Sequence, residues 1–278
     1  MWKPPIGDLP DVDALYSGIP EWLGRSVRDW MRQLFSYSAI FYSEEIQLAS
    51  EFDRVTRNRQ PLTASVNDVG LTSAVFARGD DFTLNFVDFL LHKIGKRPNW
   101  VDWVVPLSVA LDQAGSEWSA RETEQGGRLL KRVDDTVQSH ASQVVAESGL
   151  AGRLLAEAWH AMYGRAPDHE EAYEKSIKAV EEASAPLVSP KNSRATLGTI
   201  IRDMKQQGDW GVPIADPPGD ANRTTVVSMV ESLWFGQESR HGGNGYRKPT
   251  PEEAEAAVTL AVALVHAFTR GLVARRSE

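Results

Sequence analysis

The chain has 278 residues, 42 % of them hydrophobic and 24 % charged, which is the balance of a globular protein with one large domain or two modest ones. Its formal net charge of −8 excludes a general attraction to nucleic acid, so such a contact would need a local basic patch. The absence of cysteine excludes disulfides, cysteine nucleophiles and thiolate metal sites. No apolar run approaches about 18 residues, and prolines and acids occupy the start of the chain, where a signal peptide would be basic and then apolar. We therefore expect a cytoplasmic protein without membrane contact.

The first part of the chain has the apolar spacing of helices. One helix is predicted after Pro20, and others are predicted over 40–55, 83–94 and 98–114, whereas residues 61–82 give no clear pattern. The second of these helices ends in a basic run, which comprises Arg54, Arg57 and Arg59. Positive charge is common at a helix C-terminus, and the run is also the best candidate for a phosphate contact in the N-terminal half.

A small β-hairpin is predicted where the N-terminal helices end. Trp118 and Ala120 alternate with polar residues, a Gly126-Gly127 turn follows, and Leu129 and Leu130 come next. The sequence thus divides into a helical N-terminal domain of unknown role (1–115), a hairpin junction (116–133) and a C-terminal helical bundle (134–278). The predicted fold class is all-α, or mainly helical, with this one hairpin.

About six helices are predicted in the C-terminal portion. Asp134 or Asp135 can cap a helix that runs to Glu147, and Gly149 separates it from a helix over 151–163. Asp168, with Glu171 three residues later, caps a further helix that Pro186 and Pro190 end, and Ser193 is predicted to cap the next one. A loop rich in proline and glycine covers 207–222, and a helix begins after it.

The last helix has the clearest signals in the sequence. Thr250 is the predicted N-cap, Pro251 takes the first helical position, and Glu253 completes a capping box. Apolar residues then recur with the spacing of one buried helical face: Ala254, Ala257, Val258, Ala261, Val262, Val265 and Phe268. We therefore predict a central packing helix.

Between the last two helices lies a glycine-rich turn that holds the candidate functional residues. It contains Arg240 and His241, then Gly242-Gly243-Asn244-Gly245, and Arg247. A histidine that titrates near neutral pH can move a proton to or from a ribose 2′-hydroxyl or a leaving 5′-oxygen. An adjacent arginine can stabilise the charge that develops on the phosphate. In the alternative interpretation, Arg240 pairs with Glu231 or Glu238, and His241 only closes the helix.

Other sites have little support in the sequence. There is no HExxH motif, no phosphate-binding GxxxxGK[ST] loop, no dinucleotide-binding GxGxxG after a strand and no GxSxG nucleophile elbow. The six histidines are scattered along the chain. We therefore predict no metal site and no cofactor.

The segment from about Leu150 to the end resembles the C-terminal HEPN (higher eukaryotes and prokaryotes nucleotide-binding) domain of abortive-infection (AbiJ-type) defence proteins. Three stretches carry the resemblance, and a long terminal helix follows them: AEAWHAMYGRAPDHEEAYEKSIKAVEEA, SRATLGTIIRDM and LWFGQESRHGG. Here Arg240 directly precedes His241, whereas the family motif separates its arginine from its histidine by a few residues. Arg153 and His160 have six residues between them and match that spacing, within a predicted helix.

The resemblance implies an all-α, often dimeric protein of anti-phage defence that binds or cleaves RNA. It implies a metal-independent endoribonuclease that needs no cofactor, with Arg240 and His241 as catalytic residues and Asn244 and Arg247 as substrate contacts. The alternative is a non-catalytic helical interaction module that binds a nucleotide or a protein partner through the same turn.

Overall fold

The computed structural model describes residues 15–36, 45–95, 98–123, 126–214, 221–236 and 247–275. The chain forms two compact units, Met1–Arg132 and Val133–Glu278. Helices account for most of the described residues, and two small antiparallel strand pairs accompany them. The prediction of a mainly helical fold with a small hairpin is confirmed.

The N-terminal unit consists of six helices and the hairpin in its described part. The elements are α1 (Glu21–Ser36), α2 (Glu45–Thr56), α3 (Thr63–Val69), α4 (Leu71–Phe76), α5 (Asp80–Ile94), α6 (Val101–Gln113), β1 (Trp118–Thr123) and β2 (Gly126–Lys131). Helices α3 and α4 fill the stretch for which the sequence shows no clear pattern. They are short, and Gly70 separates them with a left-handed φ of 77°, so neither has enough turns to produce a readable periodicity.

Helix α5 forms the centre of the N-terminal core. Phe86 and its neighbour Phe89 on this helix contact the ring of Phe52 from α2 edge-on, with centroid separations of 4.9 and 5.4 Å. Such edge-to-face contacts add to the free energy gained from burying the rings. The core therefore fixes the position of α2, whose C-terminus carries the basic run.

The hairpin packs on α5 and α6. Its strands pair from Trp118 with Lys131 to Thr123 with Gly126. A Cβ atom on Gly127 would lie 2.8 Å from the carbonyl oxygen of Leu91, so only glycine allows this close approach of β2 to α5. The hairpin belongs to the N-terminal unit, which ends at Arg132.

The C-terminal unit consists, in its described part, of six helices and one pair of two-residue strands. The elements are α7 (Asp135–Glu147), α8 (Gly149–Tyr163), α9 (His169–Val188), α10 (Leu197–Gln207), β3 (Trp210–Gly211), α11 (Ala221–Phe235), α12 (Pro251–Thr269) and β4 (Ala274–Arg275). Asp134 and Asp168 cap α7 and α9 as predicted, because each carboxylate accepts hydrogen bonds from two backbone N–H groups of the first turn.

Helix α12 is the central helix of this unit, as predicted. The side chains of its predicted apolar face are all buried, and the helix contacts α7, α8, α9 and α11. Its many alanines let the neighbouring helices approach closely. None of the helices in the described part of the chain is long and apolar enough to cross a membrane.

Three details of the C-terminal unit differ from the sequence prediction. Ser193 does not cap α10; the N-cap is Thr196, whose N–H donates to Oγ1 of Thr199 at 2.9 Å, while the N–H of Leu197 donates to Glu181 at 2.6 Å. Helix α9 continues through Pro186 to Val188. A proline removes one N–H donor from the helix, and in the last turn this interrupts little of the hydrogen bonding. The pairing of β3 with β4 was not predicted, since two-residue strands leave no pattern in the sequence.

Candidate functional site

Of the four predicted site residues, one is described. Arg240, His241 and Asn244 lie outside the described residues, whereas Arg247 lies just before α12 and is exposed. Its guanidinium donates two hydrogen bonds to the carboxylate of Glu253, at 2.6 and 2.7 Å. The predicted role of Arg247 as a substrate contact stays a prediction. The structure does describe the residues on either side of the segment 237–246. These two flanks are the end of α11 and the residues that lead into α12.

The N-terminal flank is the end of α11, and α9 and α10 hold it in place. The hydroxyl of Tyr173 on α9 donates to the carbonyl of Leu233 at 3.1 Å. A Cβ atom on Gly236 would lie 2.3 Å from that hydroxyl oxygen, so any larger residue there would displace the Tyr173 hydroxyl from its hydrogen bond. On the α10 side, the Trp234 ring lies so near Gly198 that a Cβ there would come within 2.7 Å of it. The chain therefore enters the segment from a packed helix end.

The C-terminal flank is fixed by the capping box of α12. The hydroxyl of Thr250 accepts from the N–H of Glu253 at 3.2 Å, and the Glu253 carboxylate accepts from the N–H of Thr250 at 2.9 Å. The same carboxylate binds Arg247, and the neighbouring Lys248 lies 3.6 Å from Glu170 on α9. Residues 247–253 are thus connected both to α12 and to the first turn of α9.

Both flanks therefore contact the beginning of α9. Glu170 contacts the C-terminal flank and Tyr173 contacts the N-terminal flank. Residues three positions apart lie on the same side of a helix, about 5–6 Å apart. Residues 237–246 consequently connect two points that α9 holds near one another within the C-terminal unit.

Carboxylates dominate the charge around the first turn of α12. The hydrogen bonds from Arg247, and then the N–H of Thr250, lower the pKa of Glu253 to about 2. The pKa of Glu252 is lowered as well, chiefly by its own backbone N–H and then by the Thr250 hydroxyl, with a smaller attraction from His169. Both groups are therefore ionised at neutral pH, at the helix end where the macrodipole favours negative charge.

A buried tyrosine lies beside the beginning of α12. The hydroxyl of Tyr163, at the end of α8, donates to Glu255 at 3.2 Å, and its ring contacts Trp159 with a centroid separation of 4.6 Å. Burial, and then the negative charge of Glu255, raise the pKa of Tyr163. The hydroxyl therefore stays protonated and serves as a hydrogen-bond donor.

The structure also bears on the other residues considered at this site. Glu231, one possible partner of Arg240, forms an ion pair with Lys205 at 2.5 Å, and Glu238 lies outside the described residues. Arg153 is exposed on α8, and His160 is partly buried in the last turn of the same helix. Within the described ranges, no group of three or more His, Asp or Glu side chains is arranged to hold a metal ion.

Sequence reasoning did not identify Glu170 and Tyr173 as the residues that hold the flanks. The sequence did contain a signal for Tyr173, because this residue falls on the apolar face of a predicted helix. A tyrosine buried there needs a hydrogen-bond partner for its hydroxyl. Sequence reasoning also missed a groove of about 470 Å³ between α8, the C-terminal half of α9 and the loop that follows it. None of the predicted site residues lines this groove.

Comparisons with known proteins identify no relative of this chain. No protein-family model, no curated protein and no solved structure matches it. The resemblance to the HEPN domain therefore rests on the sequence stretches given above, and its functional implications stay predictions.

Proposed function

We propose that this chain is an abortive-infection-type, anti-phage defence protein whose residues 134–278 form a HEPN-like bundle that binds and cleaves RNA without a metal ion. In this proposal the protein acts in the cytoplasm as a homodimer. The main support is the attachment of both flanks of the Arg240–His241 segment to α9, through Glu170 and Tyr173. Attachment points that are fixed before binding lower the entropic cost of positioning a substrate.

The proposed chemistry uses only side chains of the segment. His241 accepts the proton of a ribose 2′-hydroxyl, whose oxygen attacks the adjacent phosphorus as the bond to the 5′-oxygen breaks. The leaving 5′-oxygen receives a proton, and the products are a 2′,3′-cyclic phosphate and a 5′-hydroxyl. Arg240 stabilises the negative charge on the phosphate oxygens, and Asn244 and Arg247 contact the substrate. In the homodimer, the His241 side chains of two copies can serve as base and acid.

The second candidate is a non-catalytic helical module that binds a nucleotide or a protein partner. The charge beside the segment favours it, because Glu253 engages the guanidinium of Arg247 and ionised carboxylates surround the first turn of α12. Negative charge there opposes the approach of RNA phosphates. This candidate predicts binding without any bond cleavage.

A cleavage assay in EDTA separates the two candidates. Purified protein is incubated with tRNA and total RNA, and His241→Ala is compared with wild type. His140, exposed on α7, provides a matched control, His140→Ala. Ribonuclease activity predicts cleavage by wild type and by the control but not by His241→Ala. Equal cleavage by all three proteins would indicate a contaminant, and intact RNA in every reaction would favour the binding module.

A further inference from the structure

Three arginines are displayed together at one end of the N-terminal unit. Arg54 lies in the last turn of α2, and Arg57 and Arg59 follow in the loop that leads to α3. All three side chains are exposed, and no carboxylate of the described residues lies within ion-pair distance of any of them. Most other described arginines do have such a partner, as Arg25 and Arg32 have in Asp29. The three charges are therefore available to a ligand.

The loop that carries these arginines has an internal support. The carboxylate of Asp53 accepts hydrogen bonds from the N–H groups of Leu62 and Thr63, at 2.8 and 3.2 Å, and from the Asn58 amide at 3.0 Å. This acid is the carboxylate nearest to the arginines in sequence, and its oxygens are used to fold the loop. The loop is consequently preorganised, which lowers the entropic cost of binding.

Arg57 has an unfavourable backbone conformation for an arginine. Its φ is +51°, in the left-handed region, where glycine carries no steric penalty. Its N–H donates to the carbonyl of Arg54, so the residue turns the chain at the end of α2. A strained non-glycine residue that persists at such a position motivates a search for a function of its side chain.

A fourth arginine attaches the loop to the rest of the unit. The guanidinium of Arg78, just after α4, donates to the carbonyls of Gln60 and Pro61 at 2.9 and 3.3 Å. It also lies 5.4 Å from the centre of the Phe82 ring. Arg78 therefore adds positive charge beside Arg59 and holds the loop against α5.

We propose that Arg54, Arg57 and Arg59 bind phosphate groups of RNA, and that the N-terminal unit thereby holds the substrate of the C-terminal unit. The inference rests on the proposed function for the identity of its ligand. Guanidinium groups bind phosphate oxygens in a bidentate manner, and three of them within six residues suit a polyanion better than a single phosphate. A membrane surface is a poorer match, because Val55 is the only large apolar side chain exposed within this run.

The binding test uses His241→Ala as the parent protein, so that RNA stays intact during the measurement. Affinity for a labelled single-stranded RNA is measured by fluorescence anisotropy over a range of salt concentrations. The test variant is Arg54→Gln/Arg57→Gln/Arg59→Gln. The control is Arg25→Gln/Arg32→Gln/Arg202→Gln, which removes the same charge from arginines that have carboxylate partners.

We expect the test variant to bind RNA at least about tenfold more weakly than the parent at low salt. Its salt dependence should be shallower by about 2 in log–log slope, since each lost contact with a single strand contributes about 0.7. The control should stay close to the parent. Equal weakening of both variants, unchanged binding by the test variant, or no RNA binding by the parent would overturn the proposal.

Three further measurements identify the ligand and the role of Arg57. Binding of the parent to vesicles with anionic lipid, abolished in the test variant while RNA binding is not, would assign the patch to a membrane. Inorganic phosphate at millimolar concentration should not displace the RNA; displacement would indicate a site for a single phosphate. Arg57→Gly relieves the left-handed strain, so it should raise Tm while it weakens RNA binding, whereas a purely structural role would leave the affinity unchanged.

Failure of this inference is distinguishable from failure of the proposed catalysis. If wild type cleaves RNA in EDTA and the test variant binds RNA as the parent does, the patch is wrong and the activity stands. If wild type does not cleave RNA but the arginines are needed for binding, the patch stands and the catalytic role of His241 is wrong.

Discussion

Glu253 and Arg247 form a bidentate ion pair at the beginning of α12, with N–O distances of 2.6 and 2.7 Å. The same carboxylate accepts the N–H of Thr250. The Glu253 side chain thereby connects the C-terminal flank of the candidate site to α12, the central helix of its unit. The strength of this connection can be measured through its dependence on pH.

Glu253→Gln should remove a pH-dependent part of the stability of the C-terminal unit. The pKa of Glu253 is about 2, below its ordinary 4.5, because the folded state stabilises the ionised form. Such a group contributes stability above its unfolded pKa, and this contribution is lost as the pH falls from about 4.5 towards 2. The Tm difference between wild type and Glu253→Gln should therefore be constant above about pH 5 and shrink below it.

The matched control for this prediction is Glu182→Gln. Glu182 is exposed on α9 in the same unit. Its replacement should leave the Tm profile parallel to that of wild type. A difference between wild type and Glu253→Gln that stays constant down to pH 2 would contradict the assigned ion pair.

Asp88→Ala should destabilise the N-terminal unit by about 3 kcal/mol, the scale observed when one member of a largely buried ion pair is removed. The carboxylate of Asp88, on α5, accepts the N–H of Leu129 at 2.6 Å and binds Arg128 at 3.0 Å. Removal leaves both groups of β2 without this acceptor. Urea unfolding followed by tryptophan fluorescence measures the loss, and Asp102→Ala, at an exposed position of α6, should change little.

Alanine should have opposite effects at two helical glycines. A Cβ atom on Gly152 in α8 would lie 2.1 Å from the carbonyl oxygen of Val145 in α7, so Gly152→Ala should separate the helices and cost about 1–3 kcal/mol. The nearest atom to a Cβ on Gly24 in α1 is 3.8 Å away. Gly24→Ala should therefore stabilise the protein by up to about 1 kcal/mol. Thermal unfolding of both variants provides the comparison, and a stabilised Gly152→Ala would contradict the close α7–α8 packing.

Features whose determinants are adjacent in sequence were predictable. Thr250, Pro251 and Glu253 specify the start of α12 within four positions, and the structure has that capping box. The start of α10 was predicted wrongly, at Ser193 instead of Thr196. Part of its determinant is Glu181, whose carboxylate accepts the N–H of Leu197 from sixteen residues earlier in the chain. A side chain on another helix leaves no local signal.

The candidate site shows the same limit. The residues proposed for proton transfer and phosphate binding could be identified from the sequence, because the Arg240-His241 pair directly precedes a run of glycines. The sequence could show that a buried Tyr173 hydroxyl needs an acceptor, but tertiary contacts of α9 decide that Leu233 supplies it and that Glu170 meets Lys248. The pairing of Trp210 with Arg275 is likewise a contact between distant positions.

The most direct test of metal-independent RNA cleavage through His241 is an analysis of RNA ends after incubation with the protein in EDTA. A labelled RNA of defined sequence is treated with wild type and with His241→Ala, and the new termini are identified chemically. Metal-independent cleavage through His241 predicts 2′,3′-cyclic phosphate and 5′-hydroxyl ends with wild type and intact RNA with His241→Ala. New 5′-phosphate ends, the same products from both proteins, or intact RNA with wild type would contradict it.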